Sequence, residues 1–87
     1  MAKGRMLIFR KNGGVLTEKD LEGVARTVET IKYKGRGFEG FMKVMIFNGR
    51  AYVGYETNLT IIFSTLEEEI IKRMERQNYE IEERRYL

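Results

Sequence analysis

The chain contains no cysteine, histidine, proline or tryptophan, and a single aspartate, Asp20, among its thirteen acidic residues. Without cysteine and histidine, Ser-His-Asp and Cys-His catalytic triads, zinc sites of the usual ligands, disulfide frameworks and haem attachment are all excluded. Long hydrophobic runs are missing too. The longest are Met6–Phe9 and Val44–Phe47, four residues each, where a membrane-spanning helix needs about 20. Residue 2 is alanine, so the myristoylation pattern is absent. Asn58-Leu59-Thr60 matches a glycosylation sequon, but no secretory signal accompanies it. A cytoplasmic location is the expectation. The 87 residues of the chain, 43% hydrophobic and 33% charged, suit one α+β domain over 1–87 with a single core and no deep cleft.

The net charge of +3 is unevenly spread. Residues 1–54 carry eleven Lys/Arg against five Asp/Glu, whereas residues 55–87 carry five against eight. A basic half invites an anionic surface such as nucleic acid, unless the two halves neutralise each other across the fold.

Met6-Leu7-Ile8-Phe9 is a short, fully apolar run stopped by Asn12-Gly13-Gly14, which favours a buried central strand. Thr17-Glu18-Lys19-Asp20 follows as a helix start, with a threonine cap and an acid three positions on. Leu21, Val24, Ala25, Val28 and Ile31 then recur at helical spacing. Phe47-Asn48-Gly49-Arg50 carries the strongest local signal: Asn-Gly supplies the positive φ angles of a two-residue type I′ hairpin turn. That turn fixes the register, so that Ile46 opposes Ala51, Val44 opposes Val53 and Met42 opposes Tyr55 on an apolar face. Phe47 with Arg50, Met45 with Tyr52, Lys43 with Gly54 and Phe41 with Glu56 fall on a mixed face. Ser64-Thr65-Leu66-Glu67 repeats the capping pattern and opens a second expected helix, striped by Leu66, Ile70, Ile71 and Met74.

Beyond Asn78, two readings stand. Tyr79-Glu80-Ile81-Glu82 alternates as an edge strand, or Ile81 prolongs the helix with Glu80 paired to Arg84. With the strand, the order β-α-β-β-α-β predicts a ferredoxin-like two-layer sandwich, sheet order 4-1-3-2, with both helices on one face. The alternative is β-α-β-β-α with a long C-terminal helix. In the first arrangement Glu80, Glu82 and Glu83 approach Arg5, Arg10 and Lys11, leaving Lys32, Lys34, Arg36, Lys43 and Arg50 as cations without obvious partners.

Gly35-Arg36-Gly37-Phe38-Glu39-Gly40 fits G-x-G-x-x-G, but it follows a helix and opens a strand, the reverse of what dinucleotide binding requires. Arg36-Gly37-Phe38-Glu39-Gly40-Phe41-Met42-Lys43-Val44 resembles the RNP1 segment of RNA-recognition domains, with Glu39 added and on the second strand where that family has it on the third. The resemblance implies bases stacked on sheet aromatics and phosphates held by Lys and Arg. Glu67-Glu68-Glu69 fans around a helix and does not converge on a metal. No catalytic group, metal or cofactor is expected. The predicted activity is that of a small non-enzymatic binding module, probing single-stranded RNA or DNA with Lys32, Lys34, Arg36, Phe41, Lys43, Arg50 and Tyr52 on the open sheet face and its basic loop. The alternative is a protein partner or a homodimer covering Phe41, Met45, Phe47 and Tyr52 on the same face.

Overall fold

A computed structural model describes residues 3–34, 40–57 and 60–86, with the side chains of residues 3, 30–34, 40–42, 56–57 and 60–65 outside the described set. The elements are β1 (Lys3–Lys11), α1 (Glu18–Lys34), β2 (Gly40–Phe47), β3 (Arg50–Thr57), α2 (Thr60–Glu75) and β4 (Tyr79–Tyr86). All strand pairings are antiparallel, in the order β2-β3-β1-β4.

The Asn-Gly turn sets the middle of the chain. Asn48 and Gly49 have φ of 51° and 74°, the left-handed pair of a type I′ turn. The register runs without a break from Phe47↔Arg50 to Gly40↔Thr57, as the sequence predicts over these residues; the earlier pairs that the same rule gives lie outside the described residues. Gly49 is further committed because an added Cβ there would meet the Val15 Cβ at 3.2 Å.

Period-two alternation then sorts each strand into two faces. Leu7 and Phe9 of β1, Ala51, Val53 and Tyr55 of β3, and Tyr79 of β4 are buried against Val24 and Val28 of α1 and Leu66, Ile70 and Met74 of α2. Leu16 closes the core from the β1–α1 loop, and Val44, Ile46, Ile71 and Ile81 pack around it. Both helices therefore cover the same side of the sheet. The apolar stripe of α1 is narrower than the spacing suggests: Val24 and Val28 are buried, whereas Leu21 is exposed.

Helix α1 starts on a reciprocal cap. The Lys19 N–H donates to Thr17 Oγ1 at 3.3 Å, and the Thr17 N–H donates to Asp20 Oδ2 at 2.9 Å. Asp20 also accepts from Tyr79 Oη at 3.1 Å and faces Lys11 Nζ at 3.4 Å. The Thr17 amide holds its carboxyl below the ordinary value, with Tyr79 and Lys11 assisting against partial burial. Burial, together with the hydrogen bond from Tyr79 Oη to Asp20, pushes the Tyr79 phenol up.

Helix α2 corrects the sequence reading. It begins at Thr60, so Ser64 and Thr65 lie inside it and do not cap it. Ile62 stands four residues before Leu66, and this period carries the helix back past a local cap signal, as tertiary pattern commonly outweighs propensity. Its other end follows expectation: Asn78, at φ 67°, takes the left-handed position that ends the helix. The chain beyond it is the strand β4, not a continued helix.

Candidate interaction surface

The sheet face away from the helices is built by the complementary positions. Met45, Tyr52, Ile8 and Glu83 form one row across the four strands, and Lys43, Gly54, Met6 and Arg85 form the next. On the other side of the first row lie Phe47 paired with Arg50, and Arg10 paired with Glu80.

Strand β4 contributes more acid to this face than alternation allows. Ile8 pairs with Glu83 and Phe9 with Ile81, so Glu82 is the extra residue of a β-bulge. The bulge places Glu82 and Glu83 beside one another at a shallow hollow with Asn48, Arg50, Tyr52 and Arg85, floored by Ile8. Ile8 is 2% exposed although it lies outside the core between sheet and helices.

Three ion pairs occupy this half. Arg10 meets Glu80 at 3.1 Å, Arg85 meets Glu83 at 3.2 Å, and Arg50 reaches across β1 to grip Glu82 with two nitrogens, Nε on Oε2 and NH2 on Oε1. The guanidinium of Arg50 holds the Glu82 carboxyl below its ordinary value by hydrogen bonding first and charge second. A planar, two-point pair is the strong form of this contact.

Two expectations change as a result. Arg50 is not an unpartnered cation, because Glu82, which shares the outward parity of Glu80, meets it across β1. Of the anticipated cross-strand pairs only Arg10–Glu80 forms in that way. Arg5 and Lys11 occupy odd positions of β1 and so lie on the helix side, where Arg5 meets Glu67 of α2 at 2.8 Å and Lys11 meets Asp20. Glu67 also receives Arg84 of β4 at 3.1 Å, and Arg5 lies over the Tyr86 ring at 4.8 Å. Sequence reasoning assigned Glu67 only to the start of a helix. The available signal was the odd position of Arg5 beside Leu7 and Phe9, which demanded a carboxylate from a helix.

The remaining half of the face is apolar. Met45 and Phe47 are 53% and 55% exposed. Phe47 and Tyr52 meet edge to face, with ring centroids 6.4 Å apart. Lys43 is exposed beside them on β2. Of the other predicted residues, Lys32 and Lys34 belong to the last turn of α1 and Phe41 pairs with Glu56 on β2, but their side chains lie outside the described set. Arg36 and most of the glycine-rich segment, residues 35–39, lie outside the described residues altogether. The structure thus brings Met45, Phe47, Tyr52, Lys43 and Arg50 onto one surface and leaves the rest unplaced.

Among the described residues, no three acidic, cysteine or histidine side chains converge as a metal site. No described helix is long and apolar enough to cross a membrane.

No protein-family model matches the chain, and no curated protein matches it in sequence. Among solved structures it is similar to the "De novo designed protein Foldit4", with a TM-score of 0.65 and 18% identity, covering 99% of this chain and 94% of that one. At that identity the likeness shows the fold alone: an α+β arrangement of a four-stranded antiparallel sheet and two helices.

Proposed function

We propose that this chain is a small, non-enzymatic, cytoplasmic protein-interaction module of ferredoxin-like topology, which docks an apolar protein surface on the β2–β3 side of its open sheet face. One observation carries the reading. The cations of that face are largely matched by Glu80, Glu82 and Glu83 of β4, whereas Met45 and Phe47 stay more than half exposed beside Tyr52. Exposed apolar groups with a polar margin are the usual composition of a protein contact. Single-stranded nucleic acid on the same face would need Arg50 to exchange Glu82 for a phosphate, and would bring three carboxylates close to the backbone. Strong dependence on released counterions would be its signature.

Selection from a random peptide library tests the proposal. Wild-type protein should enrich peptides with apolar anchors, and both Met45→Glu and Phe47→Glu should lose them while keeping the circular dichroism of the parent. Failure to enrich any peptide that these variants lose would overturn the reading.

A further inference from the structure

The two edges of the sheet differ in a way that points to a specific partner. Unpaired strand edges invite further pairing, and proteins blunt them with charge, proline or bulges. Strand β4 carries Glu80, Glu82, Glu83, Arg84 and Arg85 within eight residues and is broken by the bulge. Strand β2, Gly-Phe-Met-Lys-Val-Met-Ile-Phe, has Lys43 as its one charge, no proline, and a continuous register against β3. Among the described residues no strand pairs with its outer side.

The hairpin fixes which groups lie along that side. A two-residue turn makes Phe47 and Arg50 a hydrogen-bonded pair, so Met45 and Lys43 also bond to β3. The N–H and C=O groups of Ile46, Val44, Met42 and Gly40 point outward. We propose that a second copy of this chain pairs with them, β2 antiparallel to β2 about a two-fold axis normal to the sheet, making one continuous eight-stranded sheet. The occupant is a second copy because this edge is complementary to itself. A register centred on Val44 pairs residues 41–47 of each copy and sets Lys43 opposite Met45 of the other. The register centred on Lys43 would oppose two ammonium groups, which is unfavourable, and centring on Met42 or Met45 pairs a shorter stretch. The dimer uses main-chain groups of the edge and does not rest on the open face being a docking site.

The register makes the test specific, because the natural chain has no cysteine. In the Val44-centred dimer, position 43 of one copy and 45 of the other form a non-hydrogen-bonded pair about 4.5 Å apart at Cα, within disulfide reach. Two copies of position 43, or two of position 45, are about 8 Å apart, which is too far. An equimolar mixture of Lys43→Cys and Met45→Cys proteins, oxidised gently, should therefore give a covalent heterodimer by mass spectrometry, and neither protein alone should cross-link. Val44→Pro removes one outward N–H per copy without touching the β3 ladder. It should weaken sedimentation-measured dimerisation about tenfold or more. A wild-type chain that stays monomeric at about 100 μM, well above the concentrations at which specific dimers form, would overturn the proposal. So would Met45→Cys homodimers forming as readily as the heterodimer, which would mean that open faces meet instead. If Val44→Pro does not fold, the cysteine pair decides alone. A monomer that still selects peptides through Met45 and Phe47 would sink this dimer and leave the docking role standing.

Discussion

Replacing Glu67 by glutamine separates a half-buried ion pair between sheet and helix from an exposed pair within the sheet. Glu67 holds Arg5 at 2.8 Å and Arg84 at 3.1 Å, and its side chain is 14% exposed. Glutamine keeps the shape and one acceptor but turns an amide N–H₂ toward one of the two guanidinium groups. The charge-assisted hydrogen bond from Arg5 contributes about 1.5–3 kcal/mol when shielded, and the half-exposed Arg84 adds charge attraction without a hydrogen bond to Oε1. A loss of about 2 kcal/mol is expected, which lowers the melting temperature of a chain this size by about 8–16 °C. The internal control is Glu80→Gln. Its partner Arg10 lies at a comparable 3.1 Å, but the two side chains are 54% and 46% exposed, so the loss should stay below about 1 kcal/mol. Urea titrations followed by circular dichroism, fitted with a common slope, measure both. If the two variants lose the same stability, burial does not govern these pairs and the role given to Glu67 is wrong.

Three further outcomes follow from particular contacts. Gly49→Ala should cost about 1–2 kcal/mol from its left-handed φ plus the clash with Val15 at 3.2 Å, and more than Gly13→Ala, where φ is 75° but nothing lies within 4 Å of an added Cβ; thermal melts of the pair decide. Asp20 has a lowered pKa, so its stabilising effect is present above the unfolded carboxylate value and is lost as pH falls through the lower folded value. Asp20→Asn should cost about 1–2 kcal/mol at neutral pH, in the range of a helix cap, and should flatten the acid limb of the stability curve. Burial, with the nearby Glu67 charge, pushes the Tyr55 phenol up to about 12. A raised value stabilises below the unfolded pKa, so stability should fall between about pH 10 and 12, and Tyr55→Phe should shrink that fall in urea titrations across the alkaline range, leaving the share of the likewise raised Tyr79.

Most of the scaffold is legible in the sequence because it rests on local rules. Asn48-Gly49 admits one hairpin register, the Thr17–Asp20 cap starts α1, and Asn78 ends α2; each depends on a few adjacent backbone groups. The start of α2 was hidden because a polar pair, Ser64-Thr65, looks the same inside a helix as at its cap. The charge map of the open face was hidden by one inserted residue. Strict alternation from Tyr79 and Ile81 would bury Glu83, and that conflict is the one sequence signal that a bulge must intervene. Its consequence is that Glu83 and Arg85 join the open face, whereas the grip of Arg50 on Glu82 across β1 depends on strand order and could not be read from spacing.

The central claim is that the open sheet face offers a charge-matched half and an apolar half, suited to protein and not to phosphate. A fluorescence titration with short random single-stranded oligonucleotides at about 50 mM and 200 mM salt tests it most directly, since phosphate contacts respond steeply across that range. The account predicts no saturable binding at either concentration. Tight binding at the lower salt that collapses at the higher, and that is weakened by Tyr52→Ala, would contradict it.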